Sequence, residues 1–391
     1  MKIDKIRHII VSVLFISIIV LVFVNQSFRI VTGNMDTHEN RAMAEKPELD
    51  ITSLDYFPGK YDAYYNDNFL LRADYVSFML FLSQKIFHKR NVKGNYLIGK
   101  DNWVYEIRLN LSWYTGERTL NEHQLNKYKV EFSKRQEYFN SRGTKMYILV
   151  IPSKYCVYPE YLPSVLRTKR TTWTDKFIKY LNENTSVIIV DGRKSLKKRK
   201  RDQNVYLKYD THWTMLGAFY ALSDLMDTIR MDFPSVPYYG LEDLNIDTIE
   251  RFDGNMRYAI ADHDSLCEPD YKITPKGSDI ERISGYEHLK MDNFRFTQFD
   301  YCKRFRNNTS QDTLKAVIFR DSFMNRTMSF FPAYFREILY IWDNWQFRFN
   351  KDIIDIEKPD MVIYIFFEGY LDRILVDPSF VDPEFKLDEL E

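Results

Sequence analysis

The sequence predicts an α/β fold: a mainly parallel β-sheet flanked by helices, behind an N-terminal transmembrane helix. Three observations lead there. Five continuous apolar runs of strand length recur along the chain, at 145–152, 186–192, 315–322, 337–342 and 360–368. Helix-patterned segments separate several of them, notably 171–182 and 213–229. An uncharged stretch, Ile9 to Phe28, opens the sequence. A strand apolar on both faces belongs inside a parallel sheet covered on both sides, and strands alternating with helices build that layer arrangement.

The N-terminal stretch follows Lys2, Lys5 and Arg7. Twenty helical residues at about 1.5 Å each span about 30 Å, enough to cross a bilayer. Basic residues before the run and few after it place the N-terminus inside and the remainder outside. No small-x-small cleavage pattern follows Val24, where the chain reads Asn25-Gln26-Ser27-Phe28, so an uncleaved anchor over 1–28 is preferred to a signal peptide. A polar linker is expected over 29–53, then one large domain over 54–391 carrying an irregular insertion at about 231–310.

Within that domain, residues 54–88 carry a helical pattern. Asn95 to Ile107 reads as a hairpin around Gly99-Lys100-Asp101-Asn102, and Asn121 to Ser141 as a helix stopped by Gly143. Hydrophobic residues make up 45% of the chain, which suits a packed core. Lys plus Arg and Asp plus Glu are both 55, giving a formal net charge of zero; nucleic acid, which needs a basic surface, is not an expected partner. Three cysteines, Cys156, Cys267 and Cys302, are too few for a disulfide framework. A Cys267–Cys302 bridge is compatible with an oxidising compartment, but the sequence does not decide it.

In such a sheet, functional groups gather where strands end. The run Ala-Val-Ile-Phe-Arg-Asp-Ser-Phe puts Ser322 just past a buried strand and before a helix. Its Oγ would be exposed, beside free N–H groups that can hold an oxyanion. Taken alone, Asp321 or Ser322 would simply be a helix cap. A nucleophilic serine needs a base and an orienting acid. Of seven histidines, His8 borders the membrane segment, His38, His88, His123 and His288 sit among charged residues and are read as solvated, and two candidates remain. His212 follows Asp210 in Tyr-Asp-Thr-His-Trp; the carboxylate could fix the imidazole tautomer, although Asp210 could equally cap the next helix. His263 sits between Asp262 and Asp264, a cluster without the spacing of a structural zinc site. No metal is expected.

These residues resemble the AlgX/AlgJ-type SGNH hydrolase-like family and the related DHHW proteins. The likeness rests on Tyr-Asp-Thr-His-Trp (209–213) with Gly-Ala-Phe-Tyr-Ala (217–221), followed much later by Phe-Arg-Asp-Ser-Phe (319–323). Further blocks keep the order: Glu39 to Arg41, Tyr65 to Arg72, Leu97 to Tyr105, Val150 to Pro163, and 340–364. The resemblance implies an SGNH-like domain whose Asp-x-His element precedes the serine. It implies O-acetylation of an exported polysaccharide outside the inner membrane, with acetyl supplied by a membrane-bound O-acyltransferase and no cofactor. Carried over, Ser322 is the nucleophile, His212 the base and Asp210 the orienter. Lys154 and Arg320 are candidates for substrate or oxyanion contact, and a strand-end salt bridge is the plainer reading of Lys154. Glu39, Arg41 and Arg72 are read as structural. Arg320 stands where many SGNH motifs have Gly, and no C-terminal carbohydrate-binding module of the AlgX kind is evident. A carbohydrate esterase and a catalytically silent scaffold of an export complex remain the alternatives.

Overall fold

The computed structural model describes residues 2–28, 30, 43–49, 51–89, 91–92, 96–107, 111–167, 171–261, 263–284, 302–343, 347, 349–375 and 380. The chain divides into two compact units, Met1–Val92 with Tyr258–Ser265, and Lys93–Arg257 with Leu266–Glu391.

The first unit opens on the helix Lys2–Phe28. Its stretch Ile6–Asn25 is long and apolar enough to cross a membrane, and none of it is buried. A helix that is apolar all round finds a favourable surround only in a protein core or a bilayer. The periodic segment at 54–88 forms two α-helices, Phe57–Asn68 and Arg72–Phe81. They part at Leu71, whose φ of 64° is left-handed and ends a right-handed helix. Arg72 ties the break together by donating from Nε to the Asn66 carbonyl at 2.8 Å. Glu39 and Arg41 lie outside the described residues. Gln84 joins the two chain segments of this unit, donating to the Ala259 carbonyl at 2.5 Å and accepting from the Ala261 N–H at 2.8 Å.

The second unit is built on a seven-stranded sheet. In chain order its strands are β1 (Lys145–Ile151), β2 (Ile188–Asp191), β3 (Ile280–Ile283), β4 (Cys302–Asn307), β5 (Lys315–Arg320), β6 (Glu337–Trp342) and β7 (Met361–Phe367). The spatial order is β2-β1-β7-β5-β6-β4-β3. The five apolar runs form the five parallel strands β2, β1, β7, β5 and β6. The antiparallel pair β4 and β3 extends the β6 edge.

Strand side chains alternate between faces, and here both faces are dry. Tyr147, Leu149, Ile151, Ile318, Ile363 and Ile365 pack on one side with the helix Met215–Asp232. Met146, Ile148, Val150, Phe319, Tyr364 and Phe366 pack on the other with Glu122–Asn140 and Trp173–Asn184. Both of the latter helices start with reciprocal capping boxes, Asn121 with Gln124 and Thr172 with Asp175, which satisfy two orphan N–H groups each.

Two smaller antiparallel ribbons complete the unit. One pairs Tyr96–Ile98 with Val104–Glu106, and its turn uses positive φ at Asp101 and Asn102, residue types that tolerate it. Asn95, at the start of the expected hairpin, is outside the described residues. The other, Leu244–Arg251 with Glu268–Pro275, falls in the stretch read as irregular from sequence. All three cysteines are free thiols, so Cys267 and Cys302 are not bridged.

Candidate active site

Ser322 follows β5 directly, at the carboxyl end of the parallel strands. The turn is held by Asp321, which caps the 3₁₀ helix Ser322–Ser329. Asp321 Oδ1 accepts from the Phe323 N–H at 2.9 Å, and Oδ2 accepts from the Phe367 N–H at 2.6 Å, at the end of the neighbouring strand β7. Capping therefore falls to Asp321, which leaves the Ser322 hydroxyl free for other partners. Burial pushes the Asp321 carboxyl up to about 6, against the opposing pull of these two N–H groups, His212 and Arg320. Among the described residues no group accepts the Ser322 backbone N–H.

Asp210 and His212 lie in a loop closed at its base. Tyr206 and Trp213 form an isolated antiparallel bridge, the Leu207 N–H donates to the His212 carbonyl at 3.1 Å, and the Thr214 N–H donates to the Val205 carbonyl at 3.0 Å. Thr214, not Asp210, caps the helix Met215–Asp232. Gly217 lets that helix approach the loop, because a Cβ there would collide with the Val205 carbonyl oxygen. The loop is also clamped from outside. Glu268 accepts from the N–H groups of Lys208 and Tyr209, the latter at 3.0 Å. Lys154 donates from Nζ to the carbonyls of Val104 at 2.8 Å and Lys208 at 3.1 Å.

The two elements meet at the imidazole. Asp210 Oδ1 is 2.7 Å from His212 Nδ1, and His212 Nε2 is 2.8 Å from Ser322 Oγ. Asp210 Oδ1 also accepts the His212 backbone N–H at 2.9 Å. An ionised carboxylate only accepts, so it puts the ring proton on Nδ1 and leaves the Nε2 lone pair facing the serine hydroxyl. Phe323 lies against the imidazole with ring centroids 4.6 Å apart, and Trp213 donates from Nε1 to the Phe323 carbonyl at 3.0 Å.

The other oxygen of Asp210 is held by residues that sequence reasoning did not single out. Arg326 donates from Nη2 to Asp210 Oδ2 at 3.1 Å and from Nη1 to Asp270 Oδ2 at 2.9 Å. Asp270 Oδ1 in turn accepts the Met215 N–H at 2.9 Å. Burial opposes ionisation of Asp210, but the hydrogen bond and charge of His212, together with the Arg326 charge, hold its carboxyl well below the usual range. Arg326 lies one helical turn past Ser322, a spacing that could have marked it. Asp270 sits in a ribbon strand with no local signal at all.

The remaining candidates are placed as follows. Lys154 is buried, and burial pushes its ammonium down, with Glu268, Asp210 and Glu106 opposing. It borders a cleft of about 20 Å³ that also takes in Glu106, Ser153, Thr211 and Phe367, room for a water or a methyl group. Arg320 is fully buried beneath the Ser322 turn, where Nη1 donates to the Asp321 carbonyl at 3.1 Å and to Asn325 Oδ1 at 2.5 Å. Its guanidinium lies 4.6 Å from the Trp342 ring centroid. His263 belongs to the first unit, where Nδ1 is 3.2 Å from the Ile260 carbonyl and the ring packs on Tyr258.

Residues 97–252 match the family model described as SGNH hydrolase-like domain, acetyltransferase AlgX. The matched stretch is under half of the chain. Asp210 and His212 fall inside the matched stretch, while Ser322 lies beyond it. Over 161 residues the chain is 26% identical to the probable alginate O-acetylase AlgJ of Pseudomonas aeruginosa, covering 40% of this chain and 38% of that protein. The match therefore spans well under half of the relative's length. Two solved structures share the fold. A DHHW family protein from Eubacterium siraeum is 21% identical and aligns over 71% of this chain and 95% of its own, with a TM-score of 0.51. Bacillus cereus PatB1 is 17% identical and aligns over 70% and 96%, with a TM-score of 0.50.

Proposed function

We propose that the protein is an O-acetyltransferase that modifies an exported polysaccharide through an acyl-serine intermediate at Ser322. The observation that carries this reading is the continuous relay from Asp210 through His212 to Ser322, with contacts of 2.7 and 2.8 Å. Activating a serine hydroxyl for acyl transfer requires a base in contact and an acid that orients it. The named activity of the AlgJ relative supplies acetyl as the acyl group and a polysaccharide as the acceptor.

In the first half-reaction, His212 Nε2 takes the Ser322 hydroxyl proton while Oγ attacks the carbonyl carbon of an acetyl ester. The tetrahedral oxyanion is held by the free Ser322 N–H, and the departing group leaves with the proton from His212. In the second, a sugar hydroxyl gives its proton to His212 and attacks the acyl-enzyme; Ser322 leaves and recovers the proton. Asp210 stays ionised throughout and stabilises the imidazolium formed in each half. The apolar N-terminal helix would hold the second unit at the outer face of the inner membrane, within reach of a membrane-bound O-acyltransferase as acetyl source. Lys2, Lys5 and Arg7 at the N-terminal end of the helix favour that orientation. An ordered sugar hydroxyl can outcompete water because effective molarities of well-oriented groups reach about 10⁵ M or more.

The test is to treat the full chain with an activated acetyl ester, with and without oligosaccharide acceptors, and follow acetyl on Ser322 and on sugar by mass spectrometry. Both signals are expected, and both should vanish in Ser322→Ala. Acetyl released only as acetate, whatever acceptor is offered, would make the protein an esterase. A Ser322 that is never acylated, with Ser322→Ala leaving polymer acetylation in cells unchanged, would leave only the scaffold reading.

A further inference from the structure

A second cavity lies in the second unit, away from Ser322. About 590 Å³ opens at the β2 edge of the sheet, between the helix Arg193–Arg199 and the helix Met215–Asp232. That is the size of a pocket built to hold a ligand of several rings. Strands β1 and β7 separate β2 from β5, so three strand spacings, about 14 Å, lie between this edge and the strand that carries Ser322.

The charge on this cavity is lopsided. Seven of the nine residues 193–201 are basic, although the chain as a whole is neutral. Lys194, Lys198 and Arg199 line the cavity, are exposed, and make no ion pair among the described residues. Exposed Lys197 just outside it is likewise unpaired. The acids at the same wall are already engaged. Asp191 is held by Arg193 at 2.7 Å and Asp227 is paired with Arg230, which leaves Asp224, raised by burial with Ser195, Lys194 and Arg199 opposing, as the one carboxyl facing the three cations. The cavity therefore presents net positive charge.

Its other wall is aromatic. Tyr238 is 67% exposed, with the Arg230 guanidinium 5.1 Å from its ring centroid. Tyr220 forms the inner wall, with Arg199 4.6 Å from its centroid. An exposed tyrosine ring in the same cavity as exposed lysines suits a sugar ring, whose apolar face stacks while its anionic substituents meet ammonium groups. A lipid surface would use the cations but not a recessed aromatic pocket.

We infer that this β2-edge cavity is a holding site for an anionic polysaccharide, gripping the acceptor chain at a distance from Ser322. The inference rests on the acetyltransferase reading for the identity of the acceptor, but not for the binding itself. Tethering one segment raises the effective concentration of the next at the triad without any new contact there.

The experiment uses the full chain in detergent and compares binding of a polyuronate oligosaccharide with a neutral glucan of equal length, at low and high salt. The polyuronate should bind more tightly, and more weakly as salt rises. Lys194→Gln/Lys197→Gln/Lys198→Gln should weaken polyuronate binding by about tenfold or more, since each exposed charge-assisted contact is lost. Tyr238→Ala should weaken it as well. Neither variant should alter acylation of Ser322 by an activated acetyl ester, while transfer to a long anionic polymer should fall. Equal binding of the neutral glucan, undiminished binding by the triple variant, or binding to anionic vesicles but not to polyuronate would each overturn the inference. Failure of Ser322 to be acylated would sink the acetyltransferase reading and leave the binding result standing.

Discussion

The two arms of the Asp210–His212–Ser322 cluster are held by different means. The Ser322 arm sits at a strand end, where one buried carboxyl, Asp321, accepts an N–H from the turn and another from the adjacent strand. The Asp210–His212 arm is fixed by side chains. Arg326, Lys154 and the Glu268–Asp270 pair on one ribbon strand come from three separate stretches of chain to grip a single loop. The Ser322 arm depends on the sheet and on that one carboxyl. A side-chain-built arm carries buried charges, so it is sensitive to single substitutions and to pH.

The largest test asks whether the arms work as one unit. Ser322→Ala and His212→Ala should each lower acetyl transfer by about 10⁴-fold, and the double variant should be little worse than either. Additive losses would mean that the arms contribute independently. Asp210→Asn should cost about 10³–10⁴-fold, because the amide favours the wrong imidazole tautomer while the geometry persists. Turnover of an activated acetyl ester measures all of these.

Arg326→Gln sharpens the comparison on the side-chain arm. Activity should fall about 10–100-fold by loss of orientation of Asp210, without loss of the nucleophile. Stability should fall too, by about 1–3 kcal/mol at neutral pH, because Asp210 and Asp270 keep their burial and lose a shared cation. The sign of the pH effect follows from the depressed carboxyl of Asp210. A carboxyl lowered in the folded state stabilises it above the unfolded value of about 4, and that stabilisation is lost on acidification. The deficit of the variant should therefore be full near pH 7 and shrink below about pH 4 in denaturant titrations.

The Ser322 arm should show the opposite trend with pH. Asp321→Asn leaves one of two backbone N–H groups facing an amide donor, at a cost of about 1–3 kcal/mol. Because burial raises the Asp321 carboxyl to about 6, the wild type is most stabilised by this group below about pH 4. That advantage declines as pH rises through about 6. The deficit of Asp321→Asn should therefore narrow between about pH 4 and pH 6. A deficit that widened over this interval would mean that the two N–H groups outweigh the burial.

By itself the sequence determined what periodicity can carry. Both-face apolar runs become buried parallel strands because nothing else satisfies their backbone while hiding both faces, and so β1, β2, β5, β6 and β7 were legible. The placement of Ser322 at a strand end was legible for the same reason, and Asp-x-His is a local pairing two residues apart. Other features have no such local signature. The break at Leu71 shows as a backbone torsion, not as a change of hydrophobic period. The antiparallel strands β3 and β4 are short and mixed in polarity, so their pairing is set by the open edge of β6. Arg326 and Asp270 are ordinary surface-type residues until folding sets the Arg326 guanidinium between the buried carboxylates of Asp210 and Asp270. The basic run at 193–201 stands in the sequence, but the zero net charge of the chain does not say where its counter-charges are spent. Only tertiary structure decided the pairing of β3 and β4 and the contacts of Arg326, since both depend on segments tens of residues or more apart, whose energies leave no periodic trace along the chain.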